Sequence, residues 1–517
     1  MRLSFIQPRL KEDGCGELTV VELSFFGGVN EIGGNKILLQ DGKTRVFLDF
    51  GLSFGLQGTY YDEYLQARSF GTIDEYVAFG LLPGIKGLYR QDHLVHTSPK
   101  HELLDSKKAA EAVVISHAHM DHVGLVPYLR PDIQLVGSGT THNILSYFQE
   151  TTDGDAQDFC DWYPSFRLIS MKRGEGMKRA TSTDLESEKK TREYTTLQKG
   201  RPRQLGDIEV VMYPVDHSLP GSDAYVITTS SGTIAYTGDL RFHGYNSGTT
   251  REFAKALEGA DVKVLLCEGT RASEKPGFTE ETLGKELTRV FGSTKKLVLV
   301  NYSARDTSRL LTLSKAAAAC GRRLLINPKQ AYYLKVLRDG GEKVLPAEND
   351  VDILLPRKGW GVWGNSDYDE KNQKEDYTRS YPKAVREHLF QQSNLVTPQD
   401  VADSQTDYVV TCSFYEINLL HDLKPEEGSC FIWSQSEPYD EETVIDFNRV
   451  KNWLTHFGLG EPLRLHCSGH MCGEEIEQLI ESTNPGVVVP IHTEKPDLFK
   501  KWHKNVMVVQ RNGVLSV

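Results

Sequence analysis

The chain has 517 residues, 39% of them hydrophobic and 25% charged, with a formal net charge of −12. That length predicts two domains, the absence of any run of about 18 apolar residues excludes a membrane-spanning helix, and the acidic balance excludes a generally basic coat for nucleic acid, though not a local basic groove. The N-terminus, Met1-Arg2-Leu3-Ser4, has no apolar signal core, and the eight cysteines are scattered without a CxxC pair, so reduced thiols and a cytoplasmic protein are expected.

In chain order, Leu18–Phe26, Asn35–Gln40 and Arg45–Phe50 read as strands of an antiparallel meander, separated by Gly27-Gly28, Gly33-Gly34 and Asp41-Gly42. Residues 55–104 have weak periodicity and predict helix and loop. Strands follow at Ala112–Ile115, Ile133–Val136 and Ile208–Tyr213, a hairpin at Ala224–Thr229 and Thr233–Thr237, and a buried strand at Lys263–Cys267. Met171–Arg203 carries ten Lys/Arg against five Asp/Glu and reads as a solvated insertion, or as an arm for a polyanion. From Glu280 to Ile326 helix and strand alternate as in a βαβ layer. Lys358–Ser404 is polar and aromatic, helical in part. Strands at Tyr408–Cys412 and Cys430–Trp433 and a helix at Glu441–Phe457 follow. The chain closes with strand Leu463–Cys467, helix Glu474–Ser482, strand Gly486–Ile491, a short helix near Pro496–His503 and strand Val506–Gln510.

The run ISHAHMDHVG places His117, His119, Asp121 and His122 within six residues, directly after an apolar strand. In a turn leaving a strand, side chains two apart converge on one ion while the next two face a neighbouring ion. Imidazole and carboxylate suit zinc- or manganese-like ions. His217, Asp239 and His492 stand at corresponding points, each after an apolar strand. Together these make seven ligands for two divalent ions, with Asp239 as the bridging carboxylate. Asp49, in FLDFG, is placed to orient a ligating histidine through its second ring nitrogen.

With His217 and Asp239 downstream, this HxHxDH run resembles the metallo-β-lactamase fold, an αββα sandwich with metals at one edge of two packed sheets. LLCEGTR (Glu268), HCSGHM (His470) and VPIHTE (His492) are similar to the three further motifs of its β-CASP nuclease branch. FFGGVNEIGGN is similar to the N-terminal glycine-rich turn of ribonuclease J, which the ensemble resembles most. The resemblance implies an α/β β-CASP domain at residues 273–460, inserted into a metallo-β-lactamase domain made of residues 1–272 and 461–517. Histidine rather than valine at His492 implies RNA as the substrate.

The implied activity is metal-dependent hydrolysis of RNA phosphodiesters, with 5′-exonuclease and endonuclease modes both open. One ion is assigned to His117, His119 and His217, the other to Asp121, His122 and His492, with Asp239 shared. Zinc comes first, manganese or magnesium second. His470 is then the general acid or a phosphate contact, and Glu268 holds it oriented and charged. Ser468 and the Gly469 amide are candidate phosphate contacts. So is Arg305 in NYSARDTSR, although Ser303 or Asp306 as a plain helix N-cap accounts for that motif nearly as well. SQSEPYDEE (Ser434–Glu442) resembles a ribonuclease J loop but lacks both of its glycines. A small-molecule ester or thioester hydrolase on the same fold, and a non-catalytic RNA-binding subunit, stay open as alternatives. No membrane contact is expected. The chain stops soon after His492, so the family's C-terminal dimerisation domain is expected to be absent; the oligomeric state is left open.

Overall fold

The computed structural model describes residues 20–68, 71–98, 100–152, 157–164, 167–358, 362–363, 379–435 and 441–517. Cys15, the start of the first expected strand, Trp360 and the centre of the SQSEPYDEE loop lie outside these residues.

Two sheets pack face to face. The first runs in the order Tyr194–Thr196, Gln134–Gly137, Ala112–Val114, Thr44–Leu48, Lys36–Asp41, Glu22–Gly27 and Val514–Ser516. The second runs Pro202–Leu205, Ile208–Pro214, Asp223–Thr229, Gly232–Tyr236, Val262–Glu268 and Val487–Ile491. Strand alternation sorts the side chains. Val46, Leu48, Ala112 and Val114 point inward and meet Ile208, Val210, Ile227, Ile234, Leu266 and Ile491 of the other sheet. Phe47 and Val113 point outward, against Ile144, Leu145 and Phe148 of the Gly139–Thr151 helix. Leu265 and Val488 of the second sheet likewise cover Phe253, Ile476 and Ile480. Helices outside and two sheets inside make the αββα sandwich of the metallo-β-lactamase fold.

The third sheet belongs to an α/β domain inserted in this sandwich. Its order is Leu395–Val396, Val351–Leu354, Arg323–Ile326, Tyr408–Thr411, Val298–Tyr302, Cys430–Ser434 and Leu463–Arg464, with every pair parallel. Its strands read as continuous apolar runs because both faces are covered, one by Leu283, Leu287, Leu310 and Leu313, the other by Leu420, Val450 and Leu454.

The 55–104 stretch forms helix and loop as expected, with three seven-residue helices, Phe54–Tyr60, Thr72–Ala78 and Gln91–Thr97, each too short to show a periodic stripe. Other expected elements differ. The charge-dense stretch is not wholly an excursion. It holds an exposed hairpin, Leu168–Ser170 with Met177–Arg179, but Tyr194–Thr196 joins the first sheet and Pro202–Leu205 edges the second. The expected strand Val506–Gln510 reduces to one bridge, Val506 to Val488; the closing strand is Val514–Ser516, antiparallel to Glu22–Gly27 after a turn with Asn512 at φ 64°. The expected strand Leu463–Cys467 ends at Arg464; Leu465 N still donates to Trp433 O, but Leu465 O and Cys467 O accept from the side chains of Ser434 and Arg309. Among the described residues no helix is long and apolar enough to cross a membrane.

One core group works against the fold at neutral pH. Asp223 is buried, and its carboxyl oxygens find no hydrogen-bond partner among the described residues; nearby Ser138 Oγ donates instead to Gly221 O at 3.1 Å. Burial pushes its pKa from 3.8 up to about 8. The folded carboxyl therefore binds its proton more tightly than the unfolded one, so its favourable contribution is complete below pH 3.8 and is lost as the pH rises through about 8. Asp223→Asn is expected to be more stable than the native chain at pH 8.5, by on the order of 2–4 kcal/mol, with the gain fading toward pH 4. Urea melts at the two pH values check this; equal midpoints at pH 8.5 would refute it.

Candidate metal centre

Four of the seven candidate ligands sit just past the carboxyl end of a strand, and the two sheets bring these ends to one edge. Asp49 follows Thr44–Leu48, His117 follows Ala112–Val114, His217 follows Ile208–Pro214, Asp239 follows Gly232–Tyr236, and His492 follows Val487–Ile491. Asp121 and His122 open a one-turn helix, Met120–Val123. The chain is forced into the left-handed region at Asp49 (φ 56°) and His492 (φ 51°), a strain that residues with a Cβ tolerate only where surrounding contacts dictate it.

Asp239 Oδ2 is the hub. It lies 3.2 Å from His122 Nε2, 3.6 Å from His492 Nε2, 3.7 Å from His117 Nε2, and 3.9 Å from both His217 Nε2 and His470 Nδ1. On one side His119 Nδ1 stands 2.9 Å from His117 Nε2 and 3.2 Å from His217 Nε2. On the other, His492 Nε2 is 3.1 Å and His122 Nε2 3.9 Å from Asp121 Oδ2. These side chains form two groups, His117–His119–His217–Asp239 and Asp121–His122–Asp239–His492, each with its donor atoms within 4.8 Å of one another.

The outer ring nitrogens of four of these histidines are pinned. His122 Nδ1 lies 2.7 Å from Asp49 Oδ2, which also takes bonds from Ser116 Oγ and the Tyr236 hydroxyl. His117 Nδ1 lies 3.0 Å from Ser116 Oγ, His492 Nδ1 2.7 Å from Thr270 Oγ1, and His217 Nδ1 2.7 Å from Gly469 O. With the outer nitrogens held, the inner ones are aimed at the hub. The glycines around the site buy closeness. A Cβ on Gly33 would sit 2.7 Å from Asp121 Cβ, and one on Gly469 would sit 3.0 Å from His217 Cε1.

The donor set fits cations. Burial, reinforced by neighbouring imidazoles, depresses His117, His119 and His217, His119 to about 4, so these three are neutral. Burial alone would raise Asp121 and Asp239, but His122 and His492 outweigh it and keep both carboxylates charged. In turn, the carboxylates lift His122 and His492 against burial. Asp239 Oδ1 and His122 Nε2 are buried without a hydrogen-bond partner among the described residues. Neutral imidazoles and ionised carboxylates with orphaned inner atoms suit divalent ions.

His470 lies beside the hub. Its Nδ1 is 3.4 Å from Glu268 Oε1, and the Glu268 carboxylate accepts the Thr270 amide at 2.9 Å and the Met471 amide at 3.3 Å. Ser468 Oγ accepts the His470 amide at 3.2 Å, so this hydroxyl shapes the turn. Arg305 is set apart from the hub. Its guanidinium lies 4.3 Å over the Phe148 ring, and its charge is among those that lower His119. Of the two cap candidates, Asp306 rather than Ser303 serves the adjoining helix, accepting the Arg309 amide at 2.9 Å. Sequence reasoning missed Ser116, Tyr236 and Thr270, although Ser116 and Thr270 lie inside motifs it singled out. Asp216 and His243, neither of them a candidate site residue, contact Arg241 and Ser468 O respectively.

A family model for the beta-lactamase superfamily domain matches residues 82–279. Curated relatives are named ribonuclease J. The chain is 25% identical over 342 residues to that of Mycobacterium tuberculosis (64% of this chain, 49% of that protein). It is 26% identical over 502 residues to that of Thermus thermophilus (93% and 70%), and 23% over 495 residues to that of Helicobacter pylori (92% and 56%). It thus spans about half the length of the Mycobacterium tuberculosis relative. A crystal structure of a protein of unknown function from Enterococcus faecalis superposes with a TM-score of 0.67, at 23% identity, over 96% of this chain and 100% of that one. The chain has the metallo-β-lactamase fold and resembles the nucleases built on it, ribonuclease J among them.

Proposed function

We propose that this protein is a metal-dependent ribonuclease of the β-CASP type, hydrolysing RNA phosphodiesters as a 5′-exonuclease, an endonuclease or both. The observation that carries this reading is the convergence of five histidine nitrogens within 3.9 Å of one carboxylate oxygen, Asp239 Oδ2, with His470 held by Glu268 at its side. The first feature suits any metal-dependent hydrolase of esters; a poor alkoxide leaving group gives the second its purpose.

His117, His119 and His217 would hold one ion, and Asp121, His122 and His492 the other, with Asp239 shared. Such a pair supplies Lewis acidity to water and to the phosphate oxygens when bound. The protein's part is to fix these ligands through Asp49, Ser116, Thr270 and Gly469. His470 gives a proton to the departing ribose oxygen, and Glu268, tied to two backbone amides, keeps that imidazole in place. Arg305, backed by Phe148, and the Ser468–Gly469 turn contact backbone phosphates.

The test uses purified protein with Mn²⁺ or Zn²⁺ and end-labelled RNA and DNA bearing a 5′-monophosphate, triphosphate or hydroxyl. RNA is expected to be cleaved in preference to DNA, with activity lost on chelation and restored by the metal. Turnover of a thioester or lactone without cleavage of RNA would replace this reading with the small-molecule one.

A further inference from the structure

Three consecutive carbonyls lead into His470, and each is held by a side chain from elsewhere. Arg309 Nη2 donates to Cys467 O at 2.7 Å. Arg241 Nη1 donates to Ser468 O at 3.0 Å, with His243 Nε2 2.9 Å from the same oxygen. His217 Nδ1 donates to Gly469 O at 2.7 Å. The backbone between the two domains is thus a rail, anchored at one end by arginines and bearing at the other on a candidate metal ligand.

The arginines share one carboxylate. Glu280 Oε1 lies 3.1 Å from Arg309 Nη2 and 3.5 Å from Arg241 Nη1, and Glu280 Oε2 accepts Thr312 Oγ1 at 2.7 Å. Arg309 and Glu280 sit on helices of the inserted domain, Thr307–Ala319 and Glu280–Ser293, whereas Arg241 follows Asp239 by two residues in the sandwich. Arg309 Nη1 also donates to Ser434 O at 3.1 Å. Arg241 and Arg309 are 0% exposed and Glu280 1%, and Arg241 Nη2 has no partner among the described residues.

Energetics argues against a mere staple. Desolvating three charges costs several kcal/mol for each ion, and replacing such a triad with apolar side chains is often neutral or stabilising. What this arrangement does supply is fixed direction, because guanidinium forks grip carbonyls at set angles.

We infer that Arg309, Glu280 and Arg241 are positioning residues: through the 467–469 carbonyls they fix the tautomer and angle of His217 and the place of His470, so that the metal centre depends on how the inserted domain is seated. This rests on the metal-centre reading under Proposed function, and not on RNA being the substrate.

The test uses the full chain titrated with Co²⁺ and followed by visible absorption. The native protein is expected to show the ligand-field bands of nitrogen- and oxygen-bound cobalt; their absence would defeat the metal reading itself. Arg309→Met and Glu280→Gln are expected to weaken Co²⁺ binding about 10–100-fold and to shift those bands. Turnover of RNA should fall in kcat with KM little changed. Arg322→Met is the control. It removes another buried arginine of the inserted domain, one that donates to Lys296 O at 2.8 Å and does not touch the rail, and it should lower the melting temperature while leaving the cobalt spectrum intact. Arg309→Met or Glu280→Gln binding Co²⁺ with native affinity and native bands would overturn the inference. If Arg309→Met fails to fold, the isosteric Glu280→Gln decides.

Discussion

Asp239→Ala is expected to abolish turnover, by at least about 10³-fold, and to release both ions together, where loss of a ligand private to one group, such as His119, releases one. The reason is geometric. Asp239 Oδ2 lies within 3.9 Å of inward-facing Nε2 atoms from both groups. It is also the negative charge that allows five imidazoles to be packed together. Take it away and His122 and His492, which Asp239 and Asp121 lift against burial, lose their principal partner. Asp239→Asn keeps the size and removes the charge, so it separates these contributions: it should fold, bind at most one ion, and remain inactive. Metal content by mass spectrometry after gel filtration, read beside turnover, checks both variants. Two ions bound per chain of Asp239→Asn, with turnover within tenfold of native, would end the shared-carboxylate reading.

What could be read from the sequence follows from how local each feature is. His117, His119, Asp121 and His122 share six residues, and their partners each follow an apolar run, so strand ends and residue chemistry together pick out the set. Asp49 was legible for the same reason, as a carboxylate at a strand end; it bonds to His122 Nδ1 and to Ser116. The Arg241–Glu280–Arg309 group was not legible. Arg309 reaches Cys467 across 158 positions and Ser434 across 125, and a single arginine in a helix carries no mark of being buried. The glycines of FFGGVNEIGGN could be read as a turn, but the reason for Gly33, its approach to Asp121, is a property of two segments brought together by folding. The strand expected at Val506–Gln510 failed for a related reason: its apolar run has suitable composition, yet Val488 offers it only a single bridge and the next turn carries the chain to another sheet.

The position of His470 separates two roles that lie close in space. Its Nδ1 faces Glu268 Oε1 at 3.4 Å, and its backbone is tied by Ser468 Oγ; the ring lies outside the two four-residue donor groups around Asp239 and in a third group with Glu268 and His492. If the ring delivers a proton to the leaving oxygen, His470→Ala should lower kcat on RNA by about 10²–10⁴-fold while metal content stays native. The size of the loss must depend on the leaving group. A ribose alkoxide is a poor one and needs the proton; a nitrophenolate does not. On bis(p-nitrophenyl) phosphate the same variant should therefore lose less than about tenfold. If His470 instead grips a non-bridging phosphate oxygen, both substrates present that oxygen and both losses should be equal. Glu268→Gln sharpens the comparison, since the amide can still accept a backbone N–H but is no longer an ion-pair partner for the ring; it should follow His470→Ala in direction on RNA and spare the activated diester. Equal losses on the two substrates would move His470 from proton donor to phosphate contact, and loss of metal in His470→Ala would make it a ligand, alongside Glu268 and His492, whose donor atoms lie within 4.8 Å of its own.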